Sequence, residues 1–357
     1  MKIGTFDFNT NATFIIAELS ANHNGSLETA KETIRAAARS GADAIKLQTY
    51  RADTITLDSQ NEEFIIKGTT LWDEQNLYAL YEKAYTPWEW HEELFATAKE
   101  VGLLCFSSPF DKSAVDFLEA FDPPAYKIAS FEITDYELIR YTASKGKPII
   151  ISTGVATIDE IQDAVNICRN EGNSDIILLQ CTSAYPAPLE DANLKMIPNL
   201  AETFGVMSGF SDHTLGLSAP IVAVSLGARV IEKHFMLDKS IPSADQAFSL
   251  DEAEFTQMVQ AVRDTEKLLG KVDYTLNEKR EHNRRFSRSL YVSRPIKKGE
   301  LFTNENIKSV RPNNGLHPKY LGRVLGKRAT RDLEFATPLE KKHISNSIDI
   351  KERNEKI

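Results

Sequence analysis

Short apolar runs recur along the chain, separated by longer segments of helical period. In order they are FIIAELS (14–20), AIKLQT (44–49), LLCFSS (103–108), AYKIAS (125–130), PIIIST (148–153), IILLQCT (176–182), VMSGFSD (206–212) and VIEKHFML (230–237). The runs are continuously apolar and do not alternate, the pattern of parallel strands buried on both faces. The stretches between them, among them LETAKETIRAAARSG, TIDEIQDAVNICRNEG and LSAPIVAVSLG, set apolar residues three or four apart, and several end in Gly, a helix stop. Eight such strand and helix units predict an α/β fold, a closed (β/α)8 TIM barrel over residues 1–270. A doubly wound open sheet is the rival, but no Gly-rich phosphate loop follows the first run. The long insertion from Arg51 to about Tyr85 fits a β/α loop able to cover the barrel mouth.

Beyond the last barrel helix (251–270) the pattern changes. KVDYTLNEKREHNRRFS predicts a linker over 271–287, and the short strands and turn signals of 288–344 predict a small β-rich domain. The tail from 345 to 357 has almost no apolar content and is expected to be disordered. A chain of 357 residues accommodates both domains, since a barrel needs roughly 250.

Composition narrows the function classes. Hydrophobic residues at 42% and charged residues at 26% describe a soluble globular protein, and Cys105, Cys168 and Cys181 form no CxxC spacing, so they read as reduced thiols of a cytoplasmic protein. No apolar stretch approaches the ~18 to 20 residues that span a bilayer, and no signal-peptide pattern opens the chain, so neither membrane nor secretion is expected. A net charge of −9 repels polyanions, which makes nucleic acid a poor partner.

In a β/α barrel the chemistry lies at the carboxyl ends of the strands. The polar residues there are Glu18, Lys46, Gln48, Ser107, Ser108, Lys127, Ser130, Glu132, Ser152, Thr153, Thr182, Ser183, Ser211, Asp212, His213, Lys233 and His234. Lys46 in AIKLQ and Lys127 in AYKIA are expensive to bury without anions, and the hydroxyl residues near them supply further hydrogen bonds. Together they describe a pocket for phosphate and carboxylate. The other reading is a buried Lys–Glu network bracing the barrel, with Glu18 or Glu132 as partner. His213 and His234 end consecutive strands at equivalent positions. A lone strand histidine is more often a hydrogen-bonded core residue, but two imidazoles at one mouth suit Mn, Zn, Co or Fe with open positions for water and substrate. His23, in the loop after the first strand, could contact substrate or cap the next helix, and His91, His282, His317 and His343 read as surface or packing residues.

The strings IAELSANHNG, AIKLQTY, SSPFD, AYKIASFE, ISTGVAT, CTSAYPAP, GFSDHTLG, IEKHF and VRPNNG, in this order, resemble the N-acetylneuraminic acid synthase family of nonulosonate synthases from Phe14 to Ile344. ELSANHNG, TLWDEQNLYALYEKAYTPWEWH and CTSAYPAP look most like its pseudaminic acid branch; the sialic and legionaminic branches more usually read EIGxNHxG and CTNxYP. The resemblance implies condensation of phosphoenolpyruvate with an open-chain acetamido sugar, aided by a divalent metal ion such as Mn²⁺, Mg²⁺ or Co²⁺. It implies that His213 and His234 hold the ion and that Lys46 meets the phosphoenolpyruvate carboxylate, while Lys127, Ser130, Ser152 and Ser211 hold its phosphate. Glu18, Gln48, Glu132, Tyr185 and Asp245 would surround the sugar, with Glu18 or Asp245 handling protons and activating water. The C-terminal domain resembles the antifreeze-protein-like SAF domain, whose Arg in the VRP motif, here Arg311, would reach an acetamido group in a partner barrel of a domain-swapped homodimer.

Two departures stand out. Ser183 replaces the Asn of CTNxYP, which puts a phosphate contact from that position in doubt, and SAD replaces the usual GPD before the last helix, so Asp245 keeps its carboxylate on a changed loop. The rival readings are a sialic or legionaminic acid synthase of the same mechanism, a catalytically idle sugar- or partner-binding barrel, and a metal-dependent aldolase or epimerase of a phosphorylated sugar.

Overall fold

A computed structural model describes residues 1–10, 12–68 and 71–345. The chain divides into two compact units, Met1–Gly270 and the remainder from Lys271.

In the first unit eight parallel strands close into a barrel: β1 (Phe14–Glu18), β2 (Ala44–Thr49), β3 (Leu104–Pro109), β4 (Tyr126–Ile128), β5 (Ile149–Ser152), β6 (Ile176–Cys181), β7 (Met207–Asp212) and β8 (Val230–His234). They pair in chain order, and β8 closes on β1 with His234 opposite Glu18. Outer helices follow the strands: α1 (Leu27–Arg39), α2 (His91–Glu100), α3 (Lys112–Glu119), α4 (Tyr136–Ala143), α5 (Ile158–Asn170), α6 (Met196–Phe204), α7 (Ser218–Ser225) and α8 (Glu252–Leu269). Their starts are written in the sequence. Thr157 and Glu160 form a capping box on α5, and Asp251 and Glu254 do the same on α8, each pair satisfying amide groups that the first turn leaves open.

Because side chains alternate across a strand, every second residue enters the barrel. At the amino end these are apolar: Phe14, Ile16, Phe106, Ile150, Leu179 and Val230 belong to one buried cluster, joined by Ile3 and Phe8 of an N-terminal hairpin. Burying a ring such as Phe106, which is fully enclosed, contributes about 1.5 to 3 kcal/mol. Gly209 belongs to the same interior. A Cβ there would stand 2.4 Å from Val230 O and 2.8 Å from Leu179 Cδ2, so glycine is what lets β7 and β8 approach. One and two steps further along each strand the inward residues turn polar, and the barrel mouth begins.

The insertion after β2 is structured. A helical turn at Ala52–Ile55, a 3₁₀ turn at Glu62–Phe64, an Ile65–Asn76 bridge and a helix at Leu77–Ala84 follow one another, the last capped by Asn76. Thr69 and Thr70 lie outside the described residues.

The second unit has its own core of Leu290, Val292, Ile296, Phe302, Ile307 and Leu339 with neighbours. β9 (Ser289–Val292) runs antiparallel to β10 (Ile307–Val310), and isolated bridges extend the β structure to Ile344. The segment expected as a linker contains a helix, Glu278–Arg284. Its period is polar, but the Asn277 side chain caps it, glutamates occupy the first turn and His282 and Arg284 the last, which suits the helix dipole. Of the tail expected to be disordered, residues 346–357 lie outside the described residues.

Candidate active site

Four buried charges meet inside the mouth. Lys46 on β2 places Nζ 2.8 Å from Glu18 Oε2 on β1 and 3.5 Å from Glu232 Oε1 on β8. Lys127 on β4 lies 3.8 Å from the same Glu232 oxygen and donates to Ser152 Oγ at 2.7 Å. Ser211 on β7 completes Glu232 with a 3.0 Å hydrogen bond, and Ser108 lies 3.3 Å from Lys46 Nζ. Two ammonium groups and two carboxylates thus share one enclosed layer.

Their proton affinities follow from that arrangement. Burial alone would lower the Lys46 pKa, yet Glu18 and Glu232 outweigh it and raise it. For Lys127 burial wins, opposed by Glu232 and reinforced by Lys46, and its pKa falls. Burial opposes ionisation of Glu232 too, but Lys127 and Lys46 pull its pKa down to about 2. Glu18, fully enclosed, is pushed up by burial despite Lys46. The layer therefore holds a fixed anion, Glu232, and a carboxyl that keeps its proton more readily, Glu18.

Of the two partners considered from the sequence, Glu18 pairs with a lysine. Glu132 forms no ion pair among the described residues, and its Oε2 has no hydrogen-bond partner. Burial raises the Glu132 carboxyl to about 7. Glu232 is the partner that sequence reasoning passed over, although its spacing of two from His234 was a usable signal: both must face the same way on a strand.

The histidines sit one step further out, with ring centroids 5.3 Å apart. His213 Nδ1 donates to Thr182 O at 2.9 Å, which leaves the Nε2 lone pair free, and burial lowers its pKa to about 3, so the ring is neutral. His234 Nδ1 is buried without a hydrogen bond and lies 3.5 Å from Asp245 Oδ2. His213, a neutral imidazole held by a carbonyl, and His234, beside the Asp245 carboxylate, together offer ring nitrogens with open positions around them. Among the described residues no group of three or more His, Cys, Asp or Glu side chains converges for an ion, so an ion on this pair would take the rest of its shell from water and substrate. The pair fits a divalent ion on those terms.

Asp245 is 7% exposed, so the changed loop still delivers its carboxylate to the mouth. A cavity of about 460 Å³ opens above this layer, walled by Gln48, Glu132, Ser183, Tyr185, His234 and Asp245. The insertion supplies its apolar side with Ile55, Ile66, Leu77, Leu80 and Tyr81 together with Trp72. Gln48 is held by Glu18 Oε1 at 2.9 Å and Ser20 Oγ at 3.0 Å, and the Tyr185 ring packs 4.5 Å from His213. Ser183 Oγ lies 3.2 Å from Ser130 Oγ, which in turn accepts from Val155 N, so the Ser in place of the usual Asn belongs to the hydroxyl cluster. Of the polar residues collected from the strand ends, Ser107, Asp212 and Lys233 do not face the mouth: the pleat turns them outward, where Ser107 bonds Thr49 and Lys233 pairs with Asp212. Arg311 is exposed in the second unit, directly after β10. His23 is buried against Trp90, and the α1 cap is Ser26. His91 is a packing residue bonded to Thr49.

A closed β/α barrel whose mouth gathers paired lysines, carboxylates, hydroxyls and two histidines places the protein in the class of β/α barrels with a buried, charged mouth. The chain belongs to the NeuB family, whose model matches residues 33–274, and a SAF domain matches residues 287–345. It is similar to the pseudaminic acid synthase of Campylobacter jejuni strain 81-176, with 56% identity over 340 residues, 95% of this chain and 98% of that protein. The Helicobacter pylori pseudaminic acid synthase is 51% identical over 335 residues, covering 94% and 98%. Among solved structures, the spore coat polysaccharide biosynthesis protein spsE of Bacillus subtilis matches with a TM-score of 0.63 and 36% identity over 94% of this chain and 96% of that one.

Proposed function

We propose that this chain condenses phosphoenolpyruvate with 2,4-diacetamido-2,4,6-trideoxy-L-altrose and water, giving pseudaminic acid and phosphate. The observation that carries the reading is the gathering of Lys46 and Lys127 around Glu232 in one barrel mouth that also holds the histidine pair, in a chain more than half identical to relatives bearing that synthase name. In this reading Lys46 meets the donor's carboxylate. Lys127 and the hydroxyls of Ser130, Ser152, Ser183 and Ser211 take the phosphate, exchanging contacts they now make with one another and with Glu232. Gln48, Glu132, Tyr185 and Asp245 line the sugar's side of the cavity. Glu18, whose proton affinity burial raises, and Asp245 are positioned to pass protons and to orient the water that adds at C2. A divalent ion held by His213 and His234 would polarise the sugar aldehyde. The insertion's aromatic and aliphatic wall limits water around the reacting carbons.

The same proposal includes a cytoplasmic, domain-swapped homodimer in which Arg311 reaches an acetamido group in the partner's barrel. The test is release of inorganic phosphate from phosphoenolpyruvate and Mn²⁺ with the altrose derivative, run beside N-acetylmannosamine and the legionaminic acid precursor. Turnover only with the altrose derivative supports the assignment. Turnover only with N-acetylmannosamine overturns the branch, and none with any sugar overturns the synthase reading.

A further inference from the structure

Directly behind the two histidines, on the outer face of the same strands, lies a second buried ion pair that touches neither the cavity nor the lysine–glutamate layer. Lys233 Nζ stands 2.8 Å from Asp212 Oδ2, and both side chains are fully enclosed. The two residues are register partners on β7 and β8, and each immediately precedes one of the histidines. Since Glu232 and His234 face inward, Lys233 faces out beneath the helices. Stability does not explain a charged pair there. Desolvating two ions offsets their attraction, and apolar residues of the same volume would serve the packing as well or better.

What the pair adds is direction. Asp212 Oδ1 accepts from Thr214 N at 2.8 Å while Oδ2 holds Lys233, and Lys233 also donates to Thr214 O. His213 is thereby enclosed between two backbone positions tied to one carboxylate and one ammonium. On the far side of the turn its own carbonyl accepts from Ala187 N at 2.9 Å and its ring donates to Thr182 O. The backbone at His234 is fixed in a similar way. Phe235 N donates to Glu18 O at 2.8 Å and Leu250 N to His234 O at 2.9 Å, so the residue following it is anchored to β1 and the residue preceding it to β7 through Lys233.

We propose that Asp212 and Lys233 are positioning residues for the histidine pair: their ion pair sets the separation and direction of the two imidazoles, and with it their affinity for a divalent ion. The inference rests on the metal-binding part of the proposed function.

The experiment follows Mn²⁺ binding to the full-length protein by loss of the free-ion electron paramagnetic resonance signal, in wild type, Asp212→Asn, the double variant Asp212→Asn with Lys233→Met, and His213→Ala. Thermal unfolding and phosphoenolpyruvate affinity are measured on each metal-free protein. Asp212→Asn keeps the shape and the Thr214 contact and removes the charge. It is expected to weaken Mn²⁺ binding by about 10-fold, the low end of the loss when a direct partner of a metal ligand is removed, because Asp212 acts on His213 through the backbone and not through its ring, with phosphoenolpyruvate affinity unchanged. The double variant should weaken it no further, since both changes act through one pair. A folded Asp212→Asn that binds Mn²⁺ like wild type overturns the inference. So does equal weakening of Mn²⁺ and phosphoenolpyruvate, or a double variant that does not fold, because either makes the pair a brace. Failure of wild type to bind Mn²⁺, or equal binding by His213→Ala, overturns the metal reading itself and this inference with it.

Discussion

Replacing Glu232 with Gln removes the fixed anion of the mouth while preserving its shape. The carboxylate is 4% exposed and lies 3.5 Å from Lys46 Nζ and 3.8 Å from Lys127 Nζ. At an effective dielectric of about 20 each contact is worth roughly 4 kcal/mol before desolvation is counted. Removing one partner of such a buried network typically costs about 3 to 5 kcal/mol, because the ammonium groups left behind remain buried. At about 2 to 4 °C per kcal/mol for a domain of this size, the thermal midpoint of the barrel should fall by on the order of 10 °C. The loss should be larger at pH 6 than at pH 9. Lys127 already has a lowered pKa, Glu232 is its main opposing influence, and at high pH the lysine can shed its proton and relieve the penalty. Phosphoenolpyruvate should raise the midpoint of Glu232→Gln more than that of wild type, since the ligand's negative charge takes over the missing role. Differential scanning fluorimetry with and without the ligand, at both pH values, measures all three effects. A ligand-free midpoint within about 2 °C of wild type would refute the view that Glu232 neutralises both lysines.

Other expectations follow from individual residues. Glu132 binds its proton more tightly when folded, at about 7 against 4.5 for the free side chain, so the folded state loses stability as pH rises from 4.5 through 7. Glu132→Gln should therefore be more stable than wild type at pH 8 and gain nothing near pH 4.5, as read by urea denaturation at the two pH values. Gly209→Ala forces a Cβ against Val230 O, and a loss of about 1 to 3 kcal/mol or more is expected in the same assay. His213→Ala and His234→Ala should abolish turnover and leave the circular dichroism of the barrel intact; full activity in either would remove the metal from the mechanism.

The barrel was legible because each strand is a continuous apolar run with a helix of clear period behind it, and the caps Thr157 and Asp251 stand where the helices begin. The mouth was legible for a related reason: Lys46, Lys127, His213 and His234 are polar residues at the ends of runs where burial would otherwise exclude them. Glu232, Asp212 and Lys233 carried less signal. Charges next to a histidine at a strand end look like one polar cluster until the pleat separates them, with Glu232 facing the lysines and Lys233 facing Asp212. The helix Glu278–Arg284 was hidden because its stability rests on a cap and terminal charges and not on an apolar stripe. The insertion's short helices escaped detection because its apolar residues face a cavity wall and follow no simple period.

Phosphoenolpyruvate carrying ¹⁸O in its C–O–P bridge distinguishes condensation from mere hydrolysis in one reaction. Incubated with Mn²⁺ and the altrose derivative, the enzyme is expected to release phosphate that retains the ¹⁸O, through C–O cleavage, in equal amount to a nine-carbon 2-keto acid detected by mass spectrometry. Unlabelled phosphate accompanied by pyruvate, with no nine-carbon product, would contradict the assignment.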